Sequence, residues 1–163
     1  MDQIWAPWRM AYVGNGHMDD DKCVFCHAVE HADDPALQVL DLDRHTIALM
    51  NKYPYSNGHF MVAPRRHVEQ VENLSPAERL AIMDKLALGV QVLKGALQAN
   101  GINSGFNLGR AAGAGIPGHL HLHLVPRWTN DVNFMTVLAD VRVIPEHIET
   151  TYQKLKTSFA QLG

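Results

Sequence analysis

Of the 163 residues only two are cysteine, no apolar run is long enough to cross a bilayer, and neither sign of charge is in large excess. A spanning helix needs about 18 or more consecutive apolar residues, so none is expected. The opening MDQIWAPWRM carries neither a basic segment nor the apolar stretch of a secretory leader. A cytoplasmic protein is the expectation. The formal net charge of -3 gives no long-range attraction for nucleic acid or an anionic membrane. A phosphate-bearing ligand must therefore be held by local groups. Internal repeats, low-complexity tracts and convincing linkers are also missing. With 47% hydrophobic and 19% charged residues, the composition suits one compact domain with a real core. Two cysteines cannot build a disulfide framework. Cys23 and Cys26 form a C-x-x-C pair, which in a reducing compartment points to a metal half-site or a redox pair before a structural disulfide. Ten histidines favour the metal.

Residues 1–22 carry aromatics and end in the turn-prone, acidic GNGHMDDD, so they read as an arm laid on the body formed by residues 23–163. Strands are predicted in ALQVLDLD, in HTIALMN at 45–51 and in GHFMVAP at 58–64, the last two joined by the turn residues YPYSNG as an antiparallel ribbon. The clearest helix starts at Ser75 as N-cap, with Pro76 in the first turn and Glu78 completing a capping box. Its expected apolar stripe is Leu80, Met83, Leu86, Val90, Leu93 and Leu97, and Gly101 is expected to end it. A strand around SGFNLG, a glycine-rich loop at 109–118, a strand from His119 to Val125 and a helix after Pro145 follow. Ile148, Tyr152, Leu155 and Phe159 give the last helix its apolar side. Without repeating βαβ units, this order predicts an α+β domain with a mainly antiparallel sheet of about five strands, one long helix and a C-terminal helix.

GHLHLHLVPRW sets His119, His121 and His123 on one side of a strand and Leu120, Leu122 and Leu124 on the other. Same-side neighbours in a strand are about 6.6 Å apart, so the outer two histidines are separated by about 13 Å and no single metal can hold all three. Burying several imidazoles without partners is costly, so the row demands a use. A neutral imidazole can attack with one ring nitrogen while the other donates to a carbonyl, and a neighbouring histidine can hold or protonate a phosphate oxygen. This chemistry suits phosphoryl or nucleotidyl transfer. The preceding GRAAGAGIPG offers backbone N–H groups free of Cβ crowding, although a glycine-rich turn can equally be plain connection.

His119-Leu-His121-Leu-His123-Leu-Val matches the His-x-His-x-His-x-x signature of the histidine triad (HIT) superfamily, with Pro126 and Arg127 following. CVFC, IALMNKYPYSNGHFMVAPRRH and GAGIPGHLHLHLVPRW occur in the family's order, so the resemblance covers most of the chain. IWAPWRMAYV and VPRWTNDVNF are similar to the bacterial branch of diadenosine tetraphosphate phosphorylases or hydrolases. The resemblance implies a HIT-like fold, a homodimer, and a nucleotide or dinucleoside polyphosphate as substrate. It makes His121 the nucleophile, gives His123 the scissile phosphate and leaving group, and has His59 supporting the triad. Asn51 falls where members bind the ribose, with Ile47 and Leu49 near the base. Asn107 and the loop Gly113, Ala114 and Gly115 fall near the phosphates. Gly115 is a departure, because many triad hydrolases carry glutamine or serine there. Arg127 is either a phosphate clamp or a solvated residue past a strand end.

Several members hold a structural zinc, and the matching set here is Cys23, Cys26, His67 and His119. Zinc would staple the N-terminal segment to the sheet and leave His121 for chemistry. Three rivals stand beside the leading expectation. They are a nucleoside phosphoramidase of the same superfamily, a nucleotide-binding or interaction module with little turnover, and a hydrolase carrying a catalytic zinc on His119 and His121. The aromatic arm either reaches a partner subunit or the base pocket, or docks on its own core.

Overall fold

The computed structural model describes residues 23–116, 118–129, 131 and 145–163. The arm at 1–22 and the segment VNFMTVLADVRVI at 132–144 lie outside the described residues. Five strands form one antiparallel sheet: β1 Val39–Leu42, β2 Thr46–Met50, β3 Phe60–Pro64, β4 Gly101–Phe106 and β5 Leu122–Arg127, in spatial order β1-β2-β3-β5-β4. Among the described residues three helices accompany them: α1 Val24–Glu30, α2 Pro76–Leu97 and α3 Ile148–Leu162. The α+β expectation holds.

Both faces of the sheet are covered, which is why β2 and β3 are buried along their whole length. On one face Ala48, Met50, Phe60, Val62, Leu122 and Leu124 pack with residues of α2 and α3, including Ile82, Val92, Leu93, Leu155 and Phe159. The Phe60 and Phe159 rings meet edge to face at 5.6 Å. On the other face Ile47, Leu49, Met61 and Ala63 pack against Phe25 and Ala28 of α1.

Helix α2 starts as its sequence dictates. Ser75 accepts from the Glu78 N–H, and the Glu78 carboxylate accepts from the Ser75 N–H at 2.8 Å. Its buried side differs from the expected stripe. The residues that face inward are Glu78, Ile82, Lys85, Gly89, Val92 and Leu93, whereas Leu80 and Met83 are 63% and 58% exposed. Apolarity alone misled, because two inward positions are charged and a third is glycine. Lys85 is ion-paired with Asp41 and, at 2.8 Å, with Asp43. Glu78 is held by Arg66 at 2.9 Å. Gly89 lies so close to the sheet that an added Cβ would stand 2.8 Å from Leu124 Cδ2 and from Phe60 Cζ. The helix ends at Leu97, with Gln98 in the left-handed region at φ 53°, so Gly101 does not end it but opens β4 opposite Arg127.

Two strand boundaries also shift. The strand expected around SGFNLG is Gly101–Phe106, and the strand expected from His119 begins only at Leu122. The reason lies in Pro64. It pairs with Thr46 on β2, but the ladder between β3 and β5 runs only from Phe60↔Leu124 to Val62↔Leu122. A proline has no N–H to continue a ladder, and the Leu120 N–H turns to the Val68 carbonyl at 2.7 Å instead. His119 to His121 therefore occupy irregular backbone at the mouth of the strand.

Candidate active site and metal centre

The irregular backbone sends the histidines to different partners. His119 is fully buried, and its Nε2 lies 2.8 Å from the Pro64 carbonyl oxygen. A carbonyl only accepts, so Nε2 carries the proton and donates, leaving Nδ1 with a lone pair. That Nδ1 stands 3.1 Å from Cys23 Sγ and 3.7 Å from Cys26 Sγ. His67 Nδ1 lies 3.3 Å from Cys26 Sγ, and its ring meets that of His119 edge-on at 4.9 Å. The ligand atoms of Cys23, Cys26, His67 and His119 all lie within 4.8 Å of one another.

This quartet fits a tetrahedral zinc. Zinc bonds of about 2.3 Å to sulfur and about 2.0 Å to nitrogen imply sulfur–nitrogen edges of about 3.5 Å, the range found here. The Nε2–H to carbonyl bond of His119 is the outer contact that fixes a ligating imidazole. Burial and then the neighbouring Cys23 push the Cys26 thiol up to about 11. A divalent cation offsets that cost when two thiolates bind it. Helix α1 brings the pair to the sheet, with Cys23 as its N-cap residue and Cys26 one turn on.

His121 has the opposite polarity. Its Nδ1 lies 2.8 Å from the His119 carbonyl oxygen, so Nδ1–H donates and Nε2 keeps the lone pair. Burial lowers the affinity of both rings for a second proton, taking His119 down to about 4 and His121 below its ordinary value. Phe25 supports both, its ring centroid 5.0 Å from His119 and 5.2 Å from His121.

A third arrangement orients His123. The Tyr55 N–H donates to His59 Nδ1 at 3.0 Å, so the proton of a neutral His59 sits on Nε2. Nε2–H then donates to His123 Nδ1 at 3.0 Å, which places the His123 proton on its own Nε2. The Asn107 amide faces that nitrogen at 3.2 Å and can accept through its oxygen when turned by half a turn. His121 and His123 meet edge-on with centroids 4.9 Å apart. The Asn51 amide lies 3.4 Å from His59.

A cleft of about 310 Å³ opens over these rings, and Asn51, Asn107, Gly113, Gly115, His121 and His123 all line it. Leu49 lines it too, together with Leu37 and Ile116. Ile47, Ala114 and His59 are not among the lining residues. Ile47 is fully buried in the α1-facing core, and His59 is fully buried behind His123. Arg127 resolves as the surface residue: it pairs with Asp131 at 2.8 Å and with Asn103 at 3.0 Å. Phe25, Tyr55, Lys52 and Leu37 were not foreseen. Only Phe25 left a signal, as the aromatic inside C-x-x-C.

Residues 34–130 match the HIT domain family. An AP-4-A phosphorylase from Mycobacterium tuberculosis is 33% identical over 168 residues, spanning 99% of this chain and 86% of that protein. Among solved structures, a Zn-bound histidine triad family protein from Mycobacterium smegmatis is similar at a TM-score of 0.69 and 28% identity, over 86% of this chain and 95% of that one. A hypothetical histidine triad nucleotide-binding protein from Sulfolobus tokodaii has a TM-score of 0.70 at 26% identity, over 86% of this chain and 93% of its own. The triad, its cleft and this nearly full-length likeness lead to one assignment: the chain belongs to the HIT domain family.

Proposed function

We propose that this protein is a nucleotidyl hydrolase or phosphorylase that cleaves dinucleoside polyphosphates of the diadenosine tetraphosphate kind through a covalent nucleotide on His121. The observation that carries the reading is the His121 Nδ1 to His119 carbonyl contact at 2.8 Å, which leaves the lone pair of Nε2 on a cleft-lining ring. The nearly full-length likeness to an AP-4-A phosphorylase supports the substrate class.

In the first step Nε2 of His121 attacks the α-phosphorus. A P–N bond forms, the P–O bond to the remaining phosphate chain breaks, and the departing oxygen takes the proton that His59 and Tyr55 keep on His123 Nε2. In the second step an oxygen of water or inorganic phosphate attacks the same phosphorus and surrenders a proton to His123. The P–N electron pair returns to Nε2. With water the products of diadenosine tetraphosphate are AMP and ATP; with phosphate they are ADP and ATP. Asn51 would hold the ribose, Leu37 and Leu49 would pack on the base, and Asn107 with the Gly113–Gly115 backbone would meet the phosphates.

Cys23, Cys26, His67 and His119 would hold zinc, which supplies a structural clamp and no step of the reaction. A homodimer completes the proposal, supported by edge strand β4, whose outer side pairs with no other described strand. Among the described residues no helix is long and apolar enough to cross a membrane.

Incubation with diadenosine tetraphosphate, with and without inorganic phosphate, tests the reading. The expected results are an adenylylated peptide containing His121 and a loss of at least about a hundredfold in rate for His121→Ala. Unchanged turnover in that variant, or turnover with no adduct under rapid quench, would overturn it. Phosphate-dependent ADP identifies a phosphorylase, and AMP with ATP a hydrolase.

A further inference from the structure

Helix α1 has two chemically different sides. Phe25 and Ala28 point into the sheet and are fully buried, with Cys23 and Cys26 at the inner metal quartet. The other side presents His27, Glu30 and His31, all exposed. Four residues apart on a helix, two side chains stand one above the other, and a residue three along from the first lies beside them. The His27 and His31 ring centroids are accordingly 4.6 Å apart, inclined at 57°. One ligand atom from each of His27, Glu30 and His31 lies within 4.8 Å of the others. Among the described residues, no hydrogen bond or ion pair ties any of these three side chains to another group.

From this geometry we infer that His27, Glu30 and His31 form a second, solvent-facing site for a divalent transition cation such as Zn²⁺, Ni²⁺ or Cu²⁺, separate from the cysteine-containing quartet. Two imidazoles and one carboxylate suit these borderline ions, and the absence of sulfur from the set favours Ni²⁺ or Cu²⁺ over softer ions. Bonds of about 2.1 Å to a common ion require ligand atoms about 3 to 4 Å apart. Exposed side chains reach that spacing by small rotations, and no buried contact has to break. The remaining coordination positions belong to water, so the ion is exchangeable.

The site has a consequence for the fold. Seven residues are too few for a helix to be stable by itself, since isolated helices shorter than about 12 residues are marginal in water. An ion held by His27 and His31 fixes one full turn, at the end of the helix opposite Cys23. Binding outside therefore orders the element that presents Cys23 and Cys26 inside.

Ni²⁺ is the probe, added to full-length, tag-free protein already loaded with one equivalent of zinc. Calorimetric titration is expected to show one saturable Ni²⁺ per chain, with the zinc retained by elemental analysis. His27→Ala and His31→Gln are each expected to weaken that binding at least tenfold, while His147→Ala leaves it unchanged. Both altered histidines are exposed, and matching circular dichroism spectra establish that the variants fold. Amide exchange across residues 24–31 is expected to slow when Ni²⁺ is present. Absence of saturable binding would overturn the inference, as would binding of equal strength in both variants or displacement of zinc by Ni²⁺ in its place.

Discussion

Two glycines of helix α2 offer a test of how tightly it is pressed on the strands that carry the histidines. At Gly95 an added Cβ meets nothing within 4 Å, whereas at Gly89 it stands 2.8 Å from both Leu124 Cδ2 and Phe60 Cζ. Gly→Ala inside a helix contributes about 0.5–1 kcal/mol through propensity at either position. Gly95→Ala keeps that gain. For Gly89→Ala, Phe60 and Leu124 are fully buried and have no open space to swing into, so overpacking costs about 1–3 kcal/mol. The expected net is a stabilised Gly95→Ala and a Gly89→Ala that lies below it by about 1–3 kcal/mol, or several degrees in Tm for a domain of this size. Urea titration and calorimetry of both variants read the difference directly. Phe60 and Leu124 follow His59 and His123 in the chain, so strand displacement reaches both rings. Turnover of Gly89→Ala, measured well below its Tm, is expected to fall while that of Gly95→Ala does not. A Gly89→Ala protein as stable and as active as Gly95→Ala would refute this account of the helix–sheet contact.

Three further outcomes follow from named contacts. Partial burial alone would raise Asp43, but hydrogen bonds from Lys85 and Thr46 outweigh it and hold the carboxyl at about 2, while Arg66 holds Glu78 at about 2. Both lie below their ordinary values of 3.8 and 4.5, so the stability they contribute is present above about pH 4.5 and is lost as pH falls towards 2. Glu78→Gln is expected to flatten urea stability across that window by about 1 kcal/mol, a figure discounted for the half-exposed Arg66; an unchanged slope would count against the pair. His59→Ala strands the Tyr55 N–H and frees His123 to turn, so kcat is expected to drop by up to about a hundredfold with KM little changed, and an unchanged kcat would remove His59 from its positioning role. Zinc removal by a chelator is expected to lower Tm yet leave adduct formation intact below the new Tm, whereas immediate loss of the adduct in folded protein would point to a metal in the reaction.

Much of the scaffold was legible because its signals are local. The Ser75 cap with Pro76 and Glu78 names its helix start without any tertiary information. The turn residues between Met50 and Phe60 likewise announce a hairpin, and the two strands pair in register from Thr46↔Pro64 to Met50↔Phe60. What failed depends on distant partners. Lys85 reads as a solvent residue until Asp41 and Asp43, more than forty positions earlier, are brought beneath it. Helix α1 is too short for periodicity to register, and its inward side sets Cys26 and Ala28 beside a single large apolar residue, Phe25.

The histidine row shows the same division within five residues. Strict alternation implied one regular strand face carrying all three rings. The regular strand fails because Pro64 ends the β3–β5 ladder before it reaches His121 and offers a carbonyl to His119 in place of an N–H to the strand. Each ring then finds a different partner: the Pro64 carbonyl takes the His119 proton, the His119 carbonyl takes that of His121, and His59 donates to His123 Nδ1, which leaves the His123 proton on Nε2. In a neutral imidazole the position of the proton decides which nitrogen keeps a lone pair. His119 thus offers Nδ1 to the cysteine sulfurs, His121 keeps the lone pair of Nε2 on the cleft, and His123 carries its proton on Nε2 beside it. A run of identical residues acquires three proton arrangements from three different hydrogen-bond partners, so substitutions at Pro64, whose carbonyl holds His119, belong among those that should disturb the cysteine–histidine quartet first and the cleft second.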